Sequence, residues 1–506
     1  MNQLTHSAEL GAQILEQKPH EECGVFGLWF PEGASSLPVA AMTHDALASL
    51  QHRGQDGAGV FVSDGRETFG YKEQGLVKDV FAHGAGFIDA TKPRATMAVG
   101  HVRYGTTEVA DPYGAIQPLA GKRTGITVAH NGQVNNMSYV GHQFNVTTDE
   151  GLSDSQLVTR TFDKVYDSGR YTIADTARLV GSQMDGAFSI VIMDESRREM
   201  VAMRDPWGIR PLSMGRLPDG GYVFASETVA FDAVGATFVR DVEPGEVVAV
   251  SDDGIESRRI ERDAPTAKCY FEYAYFMDPE SQVRNEDGEL TTVGEVRKTT
   301  GRLLAGEHPV TTDPELSVVV GIPASGMLAA EGYAEAAGLP LVPAAEKAKD
   351  AERSFIKSTQ EERVATADGK LIFYPEFVRG KHVYVVDDSI VRGTSMIINA
   401  EKLYEMGALS VHVRIPTPPN RDSCIYGVNI CSPEELIAHN RTIDQVREKL
   451  EVDSLGYLSE AGVERAINIG VGNLCMRCVN SEDKVRETPI PHLGTVMLGM
   501  PRLQPL

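Results

Sequence analysis

Residues 19–27, PHEECGVFG, decide how the rest of the chain is read. Cys23 opens a small and apolar run, CGVFGLWF, that has the pattern of a buried strand. Before it stand twenty-two mostly polar residues, MNQLTHSAELGAQILEQKPHEE. That leader lacks the charged start and apolar core of a secretory signal. A candidate catalytic thiol therefore sits directly behind a stretch with no evident structural task, and the chemistry of the thiol has to explain the stretch.

Bulk properties narrow the field. A chain of 506 residues has room for two or three domains with sizeable cores. Hydrophobic content of 42% and charged content of 24% are ordinary for a soluble globular protein. The net charge of −23 argues against a nucleic-acid-binding face, which needs a concentration of basic residues. A small phosphorylated substrate stays possible, because it needs only a local nest of backbone N–H groups and one or two cations. No segment approaches the run of apolar residues that spans a bilayer, so no membrane partner is expected. Six cysteines in a chain of this length are no disulfide scaffold, and CMRC at residues 475–478 points to metal or redox chemistry in a reducing compartment. A cytoplasmic protein is expected.

From Cys23 to about Arg262 strands and helices alternate, with several strands adjacent in sequence. ATMAVGHVRYG, ITVAHNG, FSIVIMD, REMVAMRD, GGYVFAS and GEVVAVSDDGIES have strand patterns. LPVAAMTHDALASLQ and SDSQLVTRTFDKVYDSG have helical spacing, the second behind capping-type residues. The pattern predicts an α+β domain rich in antiparallel sheet. Its loops gather Arg53, Arg103, Asn131, Gly132 and Asp154 at strand ends. With Cys23 they suit a free amino acid bearing a side-chain amide. A guanidinium fork fits an α-carboxylate, an aspartate fits an α-ammonium, and Asn and Gly can donate N–H groups to a tetrahedral oxyanion.

CGVFG, LQHRGQD, GHVRY, AHNG and RDPWGIRPL resemble the glutaminase domain of the N-terminal-nucleophile amidotransferases. The resemblance implies an αββα sandwich whose catalytic cysteine is the first residue of the mature chain. A thiol of ordinary pKa, about 8.5, needs a base. A free α-amine with a pKa of about 7.7–8.0 can take its proton, whereas an amide nitrogen cannot. Residues 1–22 are accordingly expected to be a propeptide, and residues 23–262 the glutaminase domain.

From about Ala264 the pattern becomes strand–helix alternation of the parallel-sheet type. Residues 382–386 form an apolar strand, followed by the loop DDSIVRGTS and a helix carrying Met396, Ile397, Ala400, Leu403 and Tyr404 on one side. A small-residue loop opening a helix makes a phosphate cradle, and the adjacent carboxylates Asp387 and Asp388 suit ribose hydroxyls or Mg²⁺. VVDDSIVRGTS resembles the phosphoribosyl-pyrophosphate loop of the type I phosphoribosyltransferases, and SIVRGT that of the amidophosphoribosyltransferases in particular. GIPASG, KCYFEYAYF, RIPTPP, CIYGVN, EELIA and DSLGYLS match the same family in the same order. The resemblance implies an α/β domain over residues 263–470. There Asp387 and Asp388 would hold the ribose diol and Mg²⁺, with Ser325 on the Mg²⁺–pyrophosphate. Ser389, Arg392, Gly393, Thr394 and Ser395 would surround the 5-phosphate. The lid departs from the family pattern: EKAKDAERSFI keeps Lys347, Arg353, Phe355 and Ile356 but not the Asn-Arg-Tyr core, and Ala324 replaces an acid. Lys347 is kept as a substrate contact.

CMRC alone suits zinc as readily as iron. Cys269, Cys424, Cys475 and Cys478 fall where the iron–sulfur subgroup of that family carries its 4Fe–4S ligands, while Cys431 has no counterpart. Residues 471–506 are expected to be a C-terminal segment bearing the last two ligands. The chain is thus read as using glutamine to aminate phosphoribosyl pyrophosphate, as a homotetramer inhibited by purine nucleotides. A paralogue acting on another phosphosugar, or a regulatory nucleotide-binding homologue, are the alternatives.

Overall fold

The computed structural model describes residues 23–34, 38–105, 111, 113–148, 151–347, 364–365, 371–498 and 500. The leader 1–22 and the lid residues Arg353, Phe355 and Ile356 lie outside them.

The strand that follows Cys23, Gly24–Trp29, sits in the middle of a seven-stranded antiparallel sheet, between Tyr222–Ala225 and Met97–Arg103. A second antiparallel sheet of six strands has Thr127–Val134, Gly186–Asp194 and Glu199–Arg204 side by side. Alternation along each strand sends side chains to opposite faces. Val25 and Trp29 point into a core shared with Val191, Met193, Met200 and Ala202 of the other sheet. Phe26 and Leu28 point the other way, onto helix Val39–Ser49. Phe188, Ile190 and Ile192 likewise face helices Asp154–Tyr166 and Ile173–Gln183. The result is helix, sheet, sheet, helix, the expected αββα sandwich. Gly27 permits the two sheets to meet, since a Cβ there would stand 2.5 Å from Val191 Cγ1.

The second half is built on four parallel strands in the order Ser317–Gly321, His382–Val386, Ser410–Ile415 and Ser454–Tyr457. The first two are buried almost throughout and read as nearly continuous apolar runs, whereas Ser410–Ile415, equally buried, alternates valines with His412 and Arg414, which are hydrogen-bonded inside the fold. Helices Val293–Glu307 and Met327–Ala337 belong to the core on one face, Thr394–Glu405 and Ile443–Leu450 to that on the other. A small antiparallel sheet of Ala345–Lys347, Leu371–Phe373 and Val364–Ala365 is separately hydrogen-bonded but adds Leu371 and Phe373 to the same core as the parallel strands. Among the described residues no helix is long and apolar enough to cross a membrane.

The C-terminal segment does more than carry two cysteines. Lys268–Cys269 pairs in parallel with Leu474–Cys475. Beyond them the chain returns to the first domain, where Val496 and Met500 join the core beneath helix Ile173–Gln183. Thr488 Oγ1 accepts from Trp207 Nε1 at 3.1 Å, and Thr488 O from Arg262 at 2.8 Å.

Helices Val293–Glu307 and Met327–Ala337 approach closely through two glycines. A Cβ on Gly332 would lie 1.9 Å from Lys298 O, and one on Gly301 2.0 Å from Ala329 O. Gly332→Ala should therefore lower the melting temperature, overpacking of this kind costing about 1–3 kcal/mol. Gly306→Ala, on helix Val293–Glu307 with nothing within 4 Å, should raise it, by about 0.5–1 kcal/mol of stability. Calorimetry on the two variants checks this; shifts of the same sign would remove the close approach as the cause.

Candidate active sites and a four-cysteine cavity

Cys23 is 8% exposed, at the head of its strand. Because Gly24 pairs with Val102, Cys23 and Arg103 end adjacent strands side by side. The Cys23 Sγ is 3.9 Å from Tyr104 O. Its backbone is gripped at both ends by one residue: Cys23 N–H donates to Arg53 O at 3.2 Å, and Arg53 Nε donates to Cys23 O at 3.2 Å. Cys23 also has a φ of 75°, in the left-handed region that a non-glycine residue seldom adopts. Ser226 fixes the next turn of the strand, accepting from Val25 N at 3.0 Å, and its Oγ is 3.5 Å from Asn131 Nδ2. Asn131 is fully buried and its Oδ1 has no hydrogen-bond partner among the described residues. Gly132 has a φ of 136°, and a Cβ there would meet Ala187 O at 2.0 Å.

Asp154 opens a helix capped by Ser153 and Gln156 in a reciprocal capping box. One carboxylate oxygen accepts from Val134 N at 3.0 Å and the other from Ser155 N at 2.7 Å, so the helix start is tied to the strand carrying Asn131 and Gly132. His130, next to Asn131, places Nδ1 2.9 Å from Ser155 Oγ. Gln117 bonds both N–H and C=O of His130, at 2.7 and 3.0 Å, and His101 Nε2 lies 3.1 Å from the same carbonyl. This buried histidine network is absent from the sequence reading, although GHVRY and AHNG contain both residues. Burial pushes His130 down, and His101 down to about 3.

Arg53 is placed differently from expectation. It is 1% exposed, and its terminal nitrogens go to Glu227 and to both oxygens of Glu272, the latter at 3.2 Å. A guanidinium buried among two carboxylates and a carbonyl is not presented to a substrate carboxylate. Arg103, half-buried, makes no ion pair among the described residues.

In the second domain two loops meet at the carboxyl ends of neighbouring parallel strands, where open α/β sheets bind ligands. A Cβ on Gly326 would stand 3.0 Å from Asp387 Cα, so the loop with Ser325 abuts that with Asp387 and Asp388. Both aspartates are buried, at 8% and 4% exposure. Asp387 Oδ1 accepts from Asp388 N and Asp388 Oδ1 from Ser389 N, each at 2.9 Å, which folds the loop back on itself. Gly393, with a φ of 86°, precedes Thr394 and Ser395 at the start of helix Thr394–Glu405. Arg392 is held by Glu435 at 2.6 Å, and Lys347 is exposed at the edge of the small sheet.

Cys269, Cys424, Cys475 and Cys478 line one cavity, together with Arg210, Tyr426 and Arg477. Strand pairing sets Cys269 opposite Cys475. Cys478 O accepts from Arg421 N at 2.8 Å, and Arg477 reaches Ser423 O at 2.7 Å, which draws in the stretch bearing Cys424. Cys431 does not line the cavity. Burial pushes the Cys475 thiol up to about 12, and those of Cys269 and Cys478 well above the ordinary thiol range. Among the described residues no three His, Cys, Asp or Glu side chains converge on a single-ion site. The thiols ring a hollow instead.

A family model described as a glutamine amidotransferase domain matches residues 104–233. The chain is 37% identical to the amidophosphoribosyltransferase of Bacillus subtilis (strain 168) over 95% of this chain and 98% of that one. It is 37% identical to that of Synechocystis sp. over 92% and 91%. A solved structure described as glutamine phosphoribosylpyrophosphate amidotransferase from B. subtilis complexed with ADP and GMP superposes with a TM-score of 0.77 at 36% identity. It covers 93% of this chain and all of that one. Another, described as the allosteric regulatory enzyme of purine biosynthesis, gives the same TM-score over 93% of this chain and 97% of that one.

The histidine network has a pH consequence. His101 is held neutral, with its pKa about 3 against an ordinary 6.5, so on acidification the unfolded chain takes the proton first. Its contribution is whole above pH 6.5 and is lost as pH falls toward 3. His101→Gln should therefore show a shallower fall in melting temperature between about pH 7 and 5 than the parent. Equal slopes would assign the acid sensitivity elsewhere.

Proposed function

The chain belongs to the amidophosphoribosyltransferases, the enzymes of the first step of purine biosynthesis, and from that premise we propose how its residues divide the work. Cys23 is the glutaminase nucleophile. With residues 1–22 removed, its free α-amine takes the thiol proton, and the thiolate attacks the side-chain carbonyl of glutamine. The C–N bond breaks as the α-ammonium passes that proton to the departing nitrogen, which leaves as ammonia, and water later hydrolyses the thioester to glutamate and the free thiol. Removal of the leader also abolishes the unfavourable φ at Cys23, because an N-terminal residue has no such torsion.

Arg103 and Asp154 hold the α-carboxylate and α-ammonium, while Asn131 Nδ2 and Gly132 N–H receive the oxyanion. Arg53 positions Cys23 rather than touching substrate. The observation that carries this reading is the pairing that ends the strands of Cys23 and Arg103 side by side, with Asn131 linked to the first through Ser226.

Ammonia must reach the second domain without meeting bulk water, where it would be mostly protonated. There it attacks C1 of phosphoribosyl pyrophosphate as the C1–O bond to pyrophosphate breaks. Asp387 and Asp388 hold the ribose diol; Ser389, Gly393, Thr394 and Ser395 offer backbone and hydroxyl donors to the 5-phosphate at the helix start. Mg²⁺, held with the help of Ser325 and the aspartates, would offset the charge of the leaving group. Arg392 acts at this loop through its backbone, its side chain being engaged by Glu435. Lys347 would reach the substrate from the lid side.

The four cavity thiols fit a 4Fe–4S cluster: they are four sulfur donors around a hollow, beside two guanidiniums that offset thiolate charge. Its task would be structural, holding three distant stretches together. Purine-nucleotide inhibition, suggested by the ADP and GMP named for the B. subtilis structure, and a homotetrameric cytoplasmic enzyme complete the reading.

Arg103→Ala should abolish glutamine-dependent synthesis and spare ammonia-dependent synthesis, measured as pyrophosphate release on the mature enzyme. Equal loss of both would mean that Arg103 supports the fold instead. The same assay against other phosphosugars tests the acceptor. For the cavity, anaerobically purified protein should hold about four irons per chain and be brown. Cys475→Ser should lose iron and protease resistance, and Cys431→Ser should lose neither. One zinc per chain, or bleaching by Cys431→Ser alone, would overturn the ligand assignment.

A further inference from the structure

The contacts behind Cys23 continue past Arg53. Glu272, which accepts both oxygens' worth of hydrogen bonds from Arg53 Nη2, also accepts from Arg210 Nη1 at 3.3 Å. Arg210 Nη2 donates to Tyr426 O at 3.0 Å, and Tyr426 N–H donates to Cys424 Sγ at 3.3 Å. An unbroken hydrogen-bonded chain thus joins the carbonyl of the nucleophile to a thiol of the four-cysteine cavity. The side chains of Arg53, Glu272 and Arg210 are all within 3% of complete burial.

Two of its members sit on the same short stretches as cavity thiols. Glu272 follows Cys269 by one helical turn's worth of chain, and Tyr426 follows Cys424 by two residues. Two guanidiniums, Arg53 and Arg210, are matched by two carboxylates, Glu227 and Glu272. A buried set of this kind is tolerable only whole, because loss of one member leaves an uncompensated charge. Displacement of the cavity wall must therefore be felt at Arg53, and Arg53 holds Cys23 by its carbonyl.

We propose that Glu272 and Arg210 are positioning residues for Cys23, acting through Arg53, and that they transmit the state of the cavity wall to the nucleophile. The second half of this statement rests on the reading of the cavity as a cluster site; the first does not.

The test uses mature protein prepared anaerobically, with Glu272→Gln and Arg210→Lys as variants. Four quantities are read: the rate of Cys23 alkylation by iodoacetamide followed by peptide mass spectrometry, kcat and KM for glutamine, ammonia-dependent synthesis, and iron per chain. Misplacement of a nucleophile by a fraction of an ångström costs about tenfold or more. Both variants should alkylate at least about tenfold more slowly, with kcat for glutamine falling in parallel and KM little changed. Iron content and ammonia-dependent synthesis should persist. If Glu272→Gln fails to fold, Arg210→Lys, which keeps the charge, decides the matter. Parental alkylation rates in a folded variant would overturn the positioning role, as would equal loss of ammonia-dependent and glutamine-dependent synthesis. Removal of iron from the parent by a chelator should slow Cys23 alkylation in protein that remains folded; an unchanged rate would overturn the transmission. Absence of iron from the purified parent would overturn the cluster reading and the transmission, leaving the variants to decide the positioning.

Discussion

The guanidinium of Arg53 is the point at which the two halves of this molecule become one. It lies out of water between a backbone carbonyl and two carboxylates, Glu227 from the first half and Glu272 from the second. Burial alone would raise the pKa of Glu227, but His52 and Arg53 beside it hold the carboxylate well below its usual range. The same carboxylate accepts from Asp278 N and Ser281 Oγ of the second half, each at 2.7 Å. Such an arrangement contributes little net stability over an apolar contact, yet it is costly to break at any single member. It therefore fixes geometry more than it adds stability, and the geometry it fixes is that of Cys23.

Around that joint each half uses a different way of presenting polar groups from a rigid frame. In the sandwich the candidate residues Cys23 and Arg103 end adjacent strands while Asn131 lies buried within the strand Thr127–Val134, and the neighbouring side chains of these strands are committed to the cores on either face. In the parallel sheet the candidate residues Asp387, Asp388 and Ser389 lie instead in a loop at the carboxyl end of a strand, where main-chain donors are released as the strand gives way to a helix start. Close approach makes both possible, at Gly132 against Ala187 O and at Gly326 against Asp387.

Much of this was legible in the sequence, and for physical reasons. The small and apolar run CGVFGLWF has the pattern of a strand buried on both faces, and Gly24–Trp29 is one. The apolar HVYVV run marks a buried strand, and the helix after it is legible from its apolar spacing, although it begins at Thr394, inside the stretch DDSIVRGTS read as loop. Ser153 and Gln156 announce the start of the helix at Asp154 as a local capping pattern. Cys475 and Cys478 are close because two residues separate them.

What the sequence left undetermined is what separated stretches do to one another. Arg53 has the residue type of a carboxylate clamp, and only its enclosure by Glu227 and Glu272 turns it inward. His101 and His130 look like solvent-facing histidines at strand ends until the meeting of two sheets removes water from them. The return of Thr488, Val496 and Met500 to the first domain follows from no local pattern. Local signals such as periodicity, capping and loop composition act over a few residues, so the chain carries them directly. Burial and charge pairing depend on which distant segments exclude water together, and that is decided only when the sheets have packed.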